Sequence, residues 1–472
     1  MVQSSASLQN PRDSNLLDEG SVAGQSQRES SRSDARLACI IFDLLSYCSD
    51  AHCKHNTVAD LLPGLNKEFV ARCISAHDLL NSDLLAVPCN AVELAQHAET
   101  ILRFGFASLK ADKVLIKRHV AHCVRSTPHA VVLRALNRII RETTNIRPAD
   151  RDTIVRRLHT ILREGVHHRI YKFDIRSFFE SLDTVQLFQK LSHHPTLPRS
   201  ALIVLQNYLN ELRTRGIVGL PRGIQLSATL SEFALQQFDQ EVSLLPDVYF
   251  NARYVDDIVI ITGAREDATQ FSDTIKGLLP FGLTMNLKKT KQIDLPAPSK
   301  LNFAGRSAGE FDYLGYSFQI GHAIRNSENR FSRDVKISIA DKKVRRMKSR
   351  ICVAVSAYLS DHDSGLLMRR LQMLTGNYKV RDLSTGKERS VGLFCSYRQV
   401  NCEAALIQLD SFMRSILLGN RTRLARRFAA TASITARRSL LKYSFVGSFR
   451  KRTFYHFRPF EHVKLRRCWQ NV

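Results

Sequence analysis

The chain has 472 residues, and its 69 Lys and Arg against 44 Asp and Glu give a formal net charge of +25. An apolar share of 44% excludes a wholly disordered protein, and this length is enough for two to four domains. The positive excess favours a polyanionic partner, and no apolar run is long enough to span a bilayer.

The N-terminal residues 1–34 are rich in Ser, Gln, Asn, Arg and Asp and poor in large apolar side chains, which predicts a disordered tail. No hydrophobic stretch follows a basic start, so the segment does not resemble a signal peptide. The ten cysteines are scattered, and the spacing of Cys48, Cys53 and His55 fits no common zinc site. We therefore expect a cytoplasmic protein with reduced thiols.

Two mostly helical regions follow the tail. Residues 35–106 predict an N-terminal helical extension, with apolar periodicity in Leu37–Tyr47, Thr57–Leu65, Phe69–Leu80 and Ala91–Phe104. Residues 107–168 are basic and are predicted to be mostly helical, with amphipathic runs at Val131–Thr143 and Asp150–Glu164.

The next region alternates a strand, a turn and a helix. Arg169–Ile175 predicts a strand with Asp174 near its end, and Ser177–Leu182 predicts the start of a helix. Residues 219–227, Gly-Leu-Pro-Arg-Gly-Ile-Gln-Leu-Ser, then open a helix that runs through Ala228–Phe238.

Tyr254-Val255-Asp256-Asp257 lies between two β-rich runs, Tyr249–Arg253 and Ile258–Thr262. This pattern predicts a hairpin with adjacent carboxylates at its tip. Such carboxylates suit Mg²⁺, which takes oxygen ligands and acts on substrate phosphates. Ordinary turn chemistry is the alternative, because Asp tolerates turn conformations and stays solvated.

Two further motifs follow the hairpin, Gly282–Lys291 and Phe311–Phe318. The ordered set resembles the palm motifs of reverse transcriptases: a strand with Asp and Phe-Phe, Leu-Pro-x-Gly-x-x-x-Ser, Tyr-x-Asp-Asp, Asn-x-x-Lys-Thr and Tyr-Leu-Gly. The resemblance covers Tyr171–Ile320 and rests on five motifs in order, which is far more specific than one Asp-Asp pair.

The resemblance implies an α+β right-hand polymerase with fingers, a palm built on an antiparallel sheet, and a helical thumb. On this basis residues 107–168 are the fingers and residues 169–325 the palm, with a finger-linked loop and helix at 196–238. Residues 326–472 are a basic helical thumb and C-terminal region, in which a strongly basic helix begins at Asp341.

The implied activity is RNA-directed DNA polymerisation with two Mg²⁺ ions, or Mn²⁺ as a substitute. The implied catalytic residues are Asp174, Asp256 and Asp257, and the metal ligands are these carboxylates with the backbone carbonyl of Ile175. Paired metals would clamp the attacking and leaving oxygens during in-line displacement.

Other roles carried by the resemblance concern the nucleotide and the strands. The aromatic at Phe179 would exclude a ribose 2′-hydroxyl, although a plain core position is the alternative. Many reverse transcriptases have Gln where this chain has Arg222, a guanidinium able to grip phosphate or to lie solvated at the surface. The nucleotide-binding candidates are Phe179, Arg222, Gly223, Gln225, Lys289 and Arg151. The nucleic-acid-binding candidates are Tyr313, Leu314, Gly315, Lys342, Lys343, Arg346, Lys348 and Arg350.

The C-terminal residues 421–472 carry fourteen Lys and Arg against a single acid, Glu461. Aromatic side chains are interleaved with these charges, a pattern that suits a single strand or a primer–template groove through stacking and phosphate contacts. We expect an RNA template, a DNA product and deoxynucleoside triphosphates as partners. A dedicated non-coding RNA, a companion protein and a homo-oligomer are further expectations, and a membrane is not one.

Among reverse transcriptases the compact layout is most similar to the bacterial "unknown group" and abortive-infection enzymes that defend against phage. Three alternatives stay open: a retron enzyme, a group II intron-derived enzyme, and an untemplated or protein-primed DNA polymerase. For protein priming, the candidate hydroxyl groups include Tyr443 and Tyr455.

Overall fold

The structure is a computed structural model that describes residues 64–75, 78–79, 91–116, 119–147, 149–298, 307–325, 327–381 and 388–470. Contacts divide the chain into one unit at Met1–Leu61 and another at Leu62–Val472, and only the second contains described residues. The predicted tail, the predicted helix at Leu37–Tyr47 and the cluster around Cys53 therefore lie outside them.

The second unit alternates helices and short sheets. Its helices are α1 Lys67–Ala71, α2 Ala91–Phe104, α3 Thr127–Thr143, α4 Arg151–Leu162, α5 Phe178–Ser181, α6 Thr184–Ser192, α7 Arg199–Thr214, α8 Gln225–Leu244, α9 Ala268–Gly277, α10 Asp341–Asp361, α11 Ser364–Thr375, α12 Leu393–Ser396, α13 Ala404–Leu418, α14 Arg423–Thr431, α15 Ile434–Ser439, α16 Phe445–Arg450 and α17 Pro459–Arg466. Its strands are β1 Ala111–Ile116, β2 His119–Val124, β3 His168–Asp174, β4 Val248–Tyr254, β5 Asp257–Thr262, β6 Lys291–Leu295, β7 Ser307–Tyr313, β8 Tyr316–Gly321, β9 Ile324–Arg325, β10 Phe331–Ser332, β11 Val335–Ile339, β12 Asn377–Arg381 and β13 Glu388–Gly392.

The central sheet is antiparallel, with strand order β4-β5-β3-β6. Its middle strand β5 is apolar on both faces because helices or a second sheet cover each side. Side chains alternate across a strand, so Ile258 and Ile260 enter one core while Val259 and Ile261 enter another. The sheet thus separates two hydrophobic cores. Asp174, Asp256 and Asp257 lie at one end of it.

The first core joins helices from both sides of the predicted finger boundary. Leu94 of α2, Leu136 of α3, Leu205 of α7 and Leu235 of α8 are all fully buried in it. The second core joins α4 to the three-stranded sheet β11-β8-β7 and to the helices that follow. These contacts show the α+β architecture that the motifs predict, and its division into fingers, palm and thumb stays a prediction. Within the described ranges no helix combines the length and apolarity needed to cross a membrane.

The fingers differ from the prediction of a mostly helical region. Residues 111–116 and 119–124 pair as antiparallel strands, β1 against β2, in which Ala111 pairs with Val124. Val114 and Val120 are exposed on it, and β-branched residues are stiff side chains that favour strands. The helices predicted after the hairpin are confirmed as α3 and α4, with the Asp150 side chain accepting from the Asp152 and Thr153 amides at the start of α4.

The predicted N-terminal helices are confirmed in part. Ala91–Phe104 is a helix over its whole predicted range. Of the helix predicted at Phe69–Leu80, α1 ends at Ala71, residues 72–75 are not helical, and residues 78–79 are helical. The described residues of this region are not a separate extension, because Phe69 and Leu94 share the first core with α3.

Two boundaries near the thumb also shift. Strand β11 pairs with β8, so the second sheet extends past residue 325 to Ile339, immediately before α10 begins at Asp341. A second boundary lies between α14 and α15, where Ser433 caps a new helix by accepting from the Ala436 amide.

Candidate active site

Strand pairing brings the three predicted catalytic carboxylates to one end of the central sheet. Asp174 ends β3 and is the Cα partner of Asp257, the first residue of β5. Asp256 lies in the turn between β4 and β5, and the Ile175 amide donates to its backbone carbonyl at 3.0 Å. The hairpin predicted from sequence is confirmed, and its register decides which carboxylates face each other.

Asp174 is held by two residues of the segment after α9. The Asn286 amide donates to the Asp174 carbonyl at 2.7 Å, and its side-chain Nδ2 donates to Oδ2 at 3.2 Å. The Lys289 ammonium lies 2.9 Å from both carboxylate oxygens of Asp174. Lys289, predicted as a nucleotide contact, therefore lies at the site, where its charge neutralises Asp174.

Burial dominates the electrostatics of the other two carboxylates. It raises the pKa of Asp256, with a further rise from the charge of Asp174 and an opposing effect of Lys289 and Arg222. Burial likewise raises the pKa of Asp257, against the attraction of the Lys172 ammonium 3.4 Å away. Oδ1 of Asp257 is buried and makes no hydrogen bond to a described residue. Both groups are therefore anions whose burial is not fully compensated by the protein.

Oxygen-only donors at this end of the sheet fit a hard divalent cation. Among the described residues no three His, Cys, Asp or Glu side chains form a ready-made metal cage. Mg²⁺ is commonly bound by one or two carboxylates with water and substrate phosphates, so a closed cage is not required. The buried Oδ1 of Asp257, which has the Lys172 ammonium 3.4 Å away, and the cationic Lys289 beside Asp174 both indicate a place that accepts positive charge.

Arg253 is a residue at this site that the sequence reasoning missed. It is 7% exposed, and its guanidinium contacts Asp239 at 2.6 Å, Glu232 at 2.7 Å and the Val255 carbonyl at 3.2 Å. Val255 has φ of +60°, a strained value for a β-branched residue. Arg253 thus ties the strained turn to α8. The available signal was an Arg within the β-rich run before Asp256 and Asp257, because an Arg that is buried in a strand needs acidic partners.

Phe179 lies in α5, half-buried between other side chains. Its ring centroid is 5.2 Å from that of Phe178, which is fully buried, and the Arg222 guanidinium lies 5.4 Å from the ring centre. Arg222 itself makes a bidentate ion pair with Glu180, at 2.5 Å and 3.0 Å. The alternative of a solvated surface Arg222 is therefore wrong, because Glu180 holds its side chain, and nucleotide binding by Arg222 stays a prediction.

Gly223 has φ of +97°, and a Cβ there would lie 2.6 Å from the His122 carbonyl. This close approach joins the loop before α8 to strand β2 of the fingers. Gln225, the first residue of α8, is exposed. The loop predicted to support the nucleotide is thus packed on the finger hairpin, which the sequence did not indicate.

Arg151 lies against a different part of the molecule from Asp174. Its Nε donates to the Leu314 carbonyl at 2.8 Å, its Nη1 donates to the Ser396 carbonyl at 2.7 Å, and its guanidinium lies over Tyr316 at 4.7 Å. The structure therefore places Arg151 under the turn between β7 and β8, and a nucleotide contact by this residue stays a prediction.

The turn between β7 and β8 carries the Tyr-Leu-Gly motif. Tyr313 is 1% exposed and its hydroxyl donates to the Asp257 and Ala252 carbonyls, so the expectation that its side chain binds nucleic acid is wrong. Leu314 and Gly315 have positive φ and are partly exposed at the turn. Only these two residues of the motif are placed to meet a strand.

Helix α10 begins beside that turn, because the Ala340 amide donates to the Gly315 carbonyl at 3.1 Å. Lys342 and Lys343 are exposed on its first turn. Arg346, Lys348 and Arg350 are only partly exposed, and they lie further along the helix, where Lys348 is 5.4 Å from the Phe412 ring centre and Arg350 is 5.8 Å from that of Trp469. The first turn of the helix is therefore the most available to a strand.

The aromatic side chains of the C-terminal region are largely core residues. Tyr443, Phe445 and Trp469 are 4%, 0% and 6% exposed, whereas Phe454 and Phe460 are exposed. The expectation of many stacking platforms is therefore wrong, because the second core uses the aromatics to hold these short helices together. The exposed positive charge that remains suits phosphate contacts.

The sequence matches the family profile described as "Reverse transcriptase (RNA-dependent DNA polymerase)" over residues 124–318, a match that supports RNA-directed DNA polymerase activity. None of the curated proteins is significantly similar to the sequence.

Three telomerase structures are similar to the chain at low levels. An apo telomerase from Candida tropicalis shares 13% identity over 79% of this chain and 65% of its own, with a TM-score of 0.33. A C-terminally truncated form shares 12% identity over 55% and 63%, with a TM-score of 0.33. A Candida albicans telomerase with a fragment of telomeric RNA shares 13% over 70% and 55%, with a TM-score of 0.28. The chain spans less than two thirds of each of these proteins, and the domain assignment rests on the family profile.

Proposed function

We propose that the protein is an RNA-directed DNA polymerase that works by two-metal phosphoryl transfer, since residues 124–318 match the reverse transcriptase profile. The observation that carries this proposal is the pairing of Asp174 with Asp257 across the sheet, with Asp256 in the adjoining turn. Holding three buried or half-buried anions at one strand end costs free energy, which a bound cation would offset.

The carboxylates of Asp174 and Asp256 would hold the two ions, with Asp257 and the backbone carbonyl of Ile175 as further oxygen donors. Bound Mg²⁺, or Mn²⁺ in its place, would lower the pKa of a primer 3′-hydroxyl and stabilise charge on the transferring phosphate. Asn286 fixes the Asp174 backbone and side chain, and Arg253 fixes the turn of Asp256, so the protein keeps both oxygen donors in place.

Lys289 would serve the incoming nucleotide. Its side chain is 61% exposed while its ammonium contacts both oxygens of Asp174, so it would be free to turn away from that carboxylate. A cation bound at Asp174 would repel the ammonium toward the negative charge of a triphosphate or of the leaving pyrophosphate. Phe179, half-buried and held on two sides, would occupy the space that a ribose 2′-hydroxyl needs.

The strands would lie along the turn of β7 and β8 and the start of α10. Leu314 and Gly315 would contact the primer backbone, and Lys342 and Lys343 would contact phosphates of the RNA–DNA product. The Gly315 carbonyl accepts from Ala340, so the turn and the helix form one continuous surface.

A primer-extension assay tests this function. Purified wild type is given an RNA template, a DNA primer, deoxynucleoside triphosphates and Mg²⁺, beside Asp256→Asn and the control Asp273→Asn. Asp273 is 64% exposed and pairs only locally with Lys276. We expect extension by wild type and Asp273→Asn and a loss of at least about a thousandfold in Asp256→Asn. Full activity of a folded Asp256→Asn protein would exclude the assignment.

The biological role we propose is bacterial antiphage defence, which rests on the resemblance of the palm motifs to abortive-infection enzymes. A dedicated non-coding RNA or a companion protein would supply the template or the effector. The test is phage plating on bacteria that carry wild type or Asp256→Asn, with the co-purifying nucleic acid sequenced from both. Equal plating efficiencies at equal protein levels would exclude the defensive role and leave a retron or intron-derived enzyme as the candidate.

Protein-primed synthesis is disfavoured at the two tyrosines first considered. Tyr443 is 4% exposed, and burial raises the pKa of Tyr455, which makes its hydroxyl a poorer nucleophile. A covalent adduct between DNA and the purified protein would reinstate this route.

A further inference from the structure

Arg222 and Glu180 form an ion pair between two motifs that are 42 residues apart. Nε of Arg222 donates to Oε1 of Glu180 at 2.5 Å, and Nη2 donates to Oε2 at 3.0 Å. The guanidinium and the carboxylate therefore meet in the planar two-point geometry that only Arg can make.

The pair lies against the ring of Phe179, the residue before Glu180. The guanidinium is 5.4 Å from the ring centre, within the range of a cation–π contact, and the Phe178 ring packs at 5.2 Å. The Phe179 backbone is fixed as well, because its carbonyl accepts from the Leu220 amide at 2.8 Å. Ring and backbone are thus both held by the loop that contains Arg222.

The backbone of Arg222 also reaches the fingers. Its carbonyl accepts from the His122 amide in β2 at 2.6 Å, while the neighbouring Gly223 approaches the His122 carbonyl. A continuous series of contacts therefore joins strand β2 to the Phe179 ring through Arg222.

We propose that the Arg222–Glu180 pair is a positioning device that sets the place of the Phe179 ring and thereby the discrimination between deoxyribose and ribose. This inference rests on the proposed polymerase function and on Phe179 as the sugar contact. The side chains are 24% and 43% exposed, so the pair contributes little to overall stability and its consequence is geometric. Both described contacts of the Arg222 guanidinium are internal, which favours positioning over a direct phosphate grip.

Steric exclusion of the ribose 2′-hydroxyl requires that the Phe179 ring be held rigidly in place. Pockets that separate substrates by one small group reach ratios of roughly 10- to 200-fold. If the Phe179 ring loses its contact with Arg222, the discrimination between deoxynucleotide and ribonucleotide should fall, while the chemistry at the carboxylates is retained. The expected signature is therefore a change in sugar discrimination larger than the change in deoxynucleotide turnover.

The experiment measures kcat/KM for a deoxynucleotide and its ribonucleotide in the primer-extension assay. The variants are Glu180→Gln, Arg222→Gln, Arg222→Lys and the double Glu180→Gln/Arg222→Gln. Phe179→Ala is the reference in which the excluding ring is absent. Glu403→Gln is the matched control, because Arg450 and Glu403 form an equally bidentate pair at 2.8 Å and 2.6 Å in the C-terminal region.

We expect each single change to lower the discrimination ratio by about tenfold, and the double change to lower it no further, since two partners of one pair act as a unit. Arg222→Lys retains the charge without the two-point contact and recovers only part of the ratio. Glu403→Gln keeps the wild-type ratio.

Two outcomes overturn the proposal. An unchanged ratio in Glu180→Gln with a higher deoxynucleotide KM in Arg222→Gln would make Arg222 a direct nucleotide contact. Additive losses in the double variant would mean that the two residues act separately. An absence of Asp256-dependent extension by wild type would instead overturn the polymerase function, and this inference with it.

Discussion

The guanidinium of Arg253 donates a hydrogen bond to the carbonyl of Val255 across 3.2 Å, within the turn that carries Asp256. The same guanidinium is fixed on its other edges by Asp239 and Glu232 of α8. A strained backbone persists only where its surroundings determine it, and here the surroundings are a buried charge network. The network makes the position of the acidic turn depend on α8, the helix that follows the Arg222 loop.

Replacing Arg253 should therefore affect both stability and catalysis. Arg253→Met removes the buried cation from two partly exposed acidic partners and breaks its charge-assisted hydrogen bonds, which we expect to cost about 1–3 kcal/mol in the free energy of unfolding. Arg253→Lys retains the charge but loses the forked contacts, and a small displacement of Asp256 should lower kcat by up to about a hundredfold. Urea denaturation and steady-state extension rates measure the two effects.

The matched control is Arg138→Gln. Arg138 pairs with Glu142 on an exposed face of α3, and such pairs contribute about 0–1 kcal/mol. Wild-type kcat in a folded Arg253→Lys protein would show that the network does not position the turn.

Removing the charge of Asp256 should stabilise the protein while abolishing activity. The pKa of Asp256 is raised in the folded state, so between the unfolded and folded values the native protein binds more protons than the unfolded chain. Stability from this group therefore falls as pH rises through that window, and at neutral pH the buried charge is unfavourable. We expect a higher Tm for Asp256→Asn than for wild type at pH 7, and a smaller difference below about pH 4.

The exposed Asp273→Asn variant should show no such rise in Tm at either pH. Thermal scans of the metal-free proteins, followed by scans with Mg²⁺, separate the two contributions. Wild type should gain Tm with Mg²⁺ and Asp256→Asn should gain less, since a ligand stabilises only the state that binds it. A lower Tm for Asp256→Asn at pH 7 would contradict the sign derived from burial.

Gly223→Ala should be far more damaging than Gly216→Ala. Both glycines have positive φ, +97° and +68°, so both substitutions carry backbone strain. A Cβ at Gly223 would also meet the His122 carbonyl at 2.6 Å, whereas at Gly216 nothing lies within 4 Å. We expect Gly216→Ala to cost about 1–2 kcal/mol, and Gly223→Ala to cost more and to lower deoxynucleotide incorporation. Equal losses in the free energy of unfolding for the two variants would show that the close approach of Gly223 to His122 does not matter for stability.

Lys289→Met should weaken nucleotide use while the neighbouring Lys288→Met should not. The Lys289 ammonium contacts Asp174, and its charge is available to a triphosphate at the same site. Loss of one charge-assisted contact corresponds to a rise in KM for the deoxynucleotide of roughly tenfold to hundredfold. Lys288 is exposed and adjacent, so it controls for general positive charge. Matching kinetics for the two variants would assign Lys289 to a nonspecific basic face.

Local chemistry explains why so much of the palm could be predicted from sequence. The strand at Asp174, the hairpin at Asp256 and the helix from Gln225 each carry their own signals in alternation, turn residues and apolar period. The pairing of β1 with β2 was missed because the two strands are only six residues each, and β2 also packs on the Arg222 loop, a contact that the local sequence does not indicate.

Side-chain burial explains the errors at Tyr313 and in the C-terminal aromatics. A half-buried strand and a strand whose aromatic reaches a ligand have the same alternating pattern, so the sequence cannot say which face is covered. Tyr313 faces the second core, and its hydroxyl supports the carbonyl of Asp257 from within the protein.

The sequence by itself determined the order of the motifs, the carboxylates and the class of polymerase domain, because residue type and spacing are local properties. Tertiary structure alone decided that Arg253 supports the acidic turn, that Lys289 neutralises Asp174 and that Arg222 pairs with Glu180 beside Phe179. Each of these contacts joins residues that different elements bring together, and even Arg253 meets its acidic partners only because β4 packs on α8. Which side chain pairs with a charged residue depends on strand register and on packing between elements, and the spacing within one motif predicts neither.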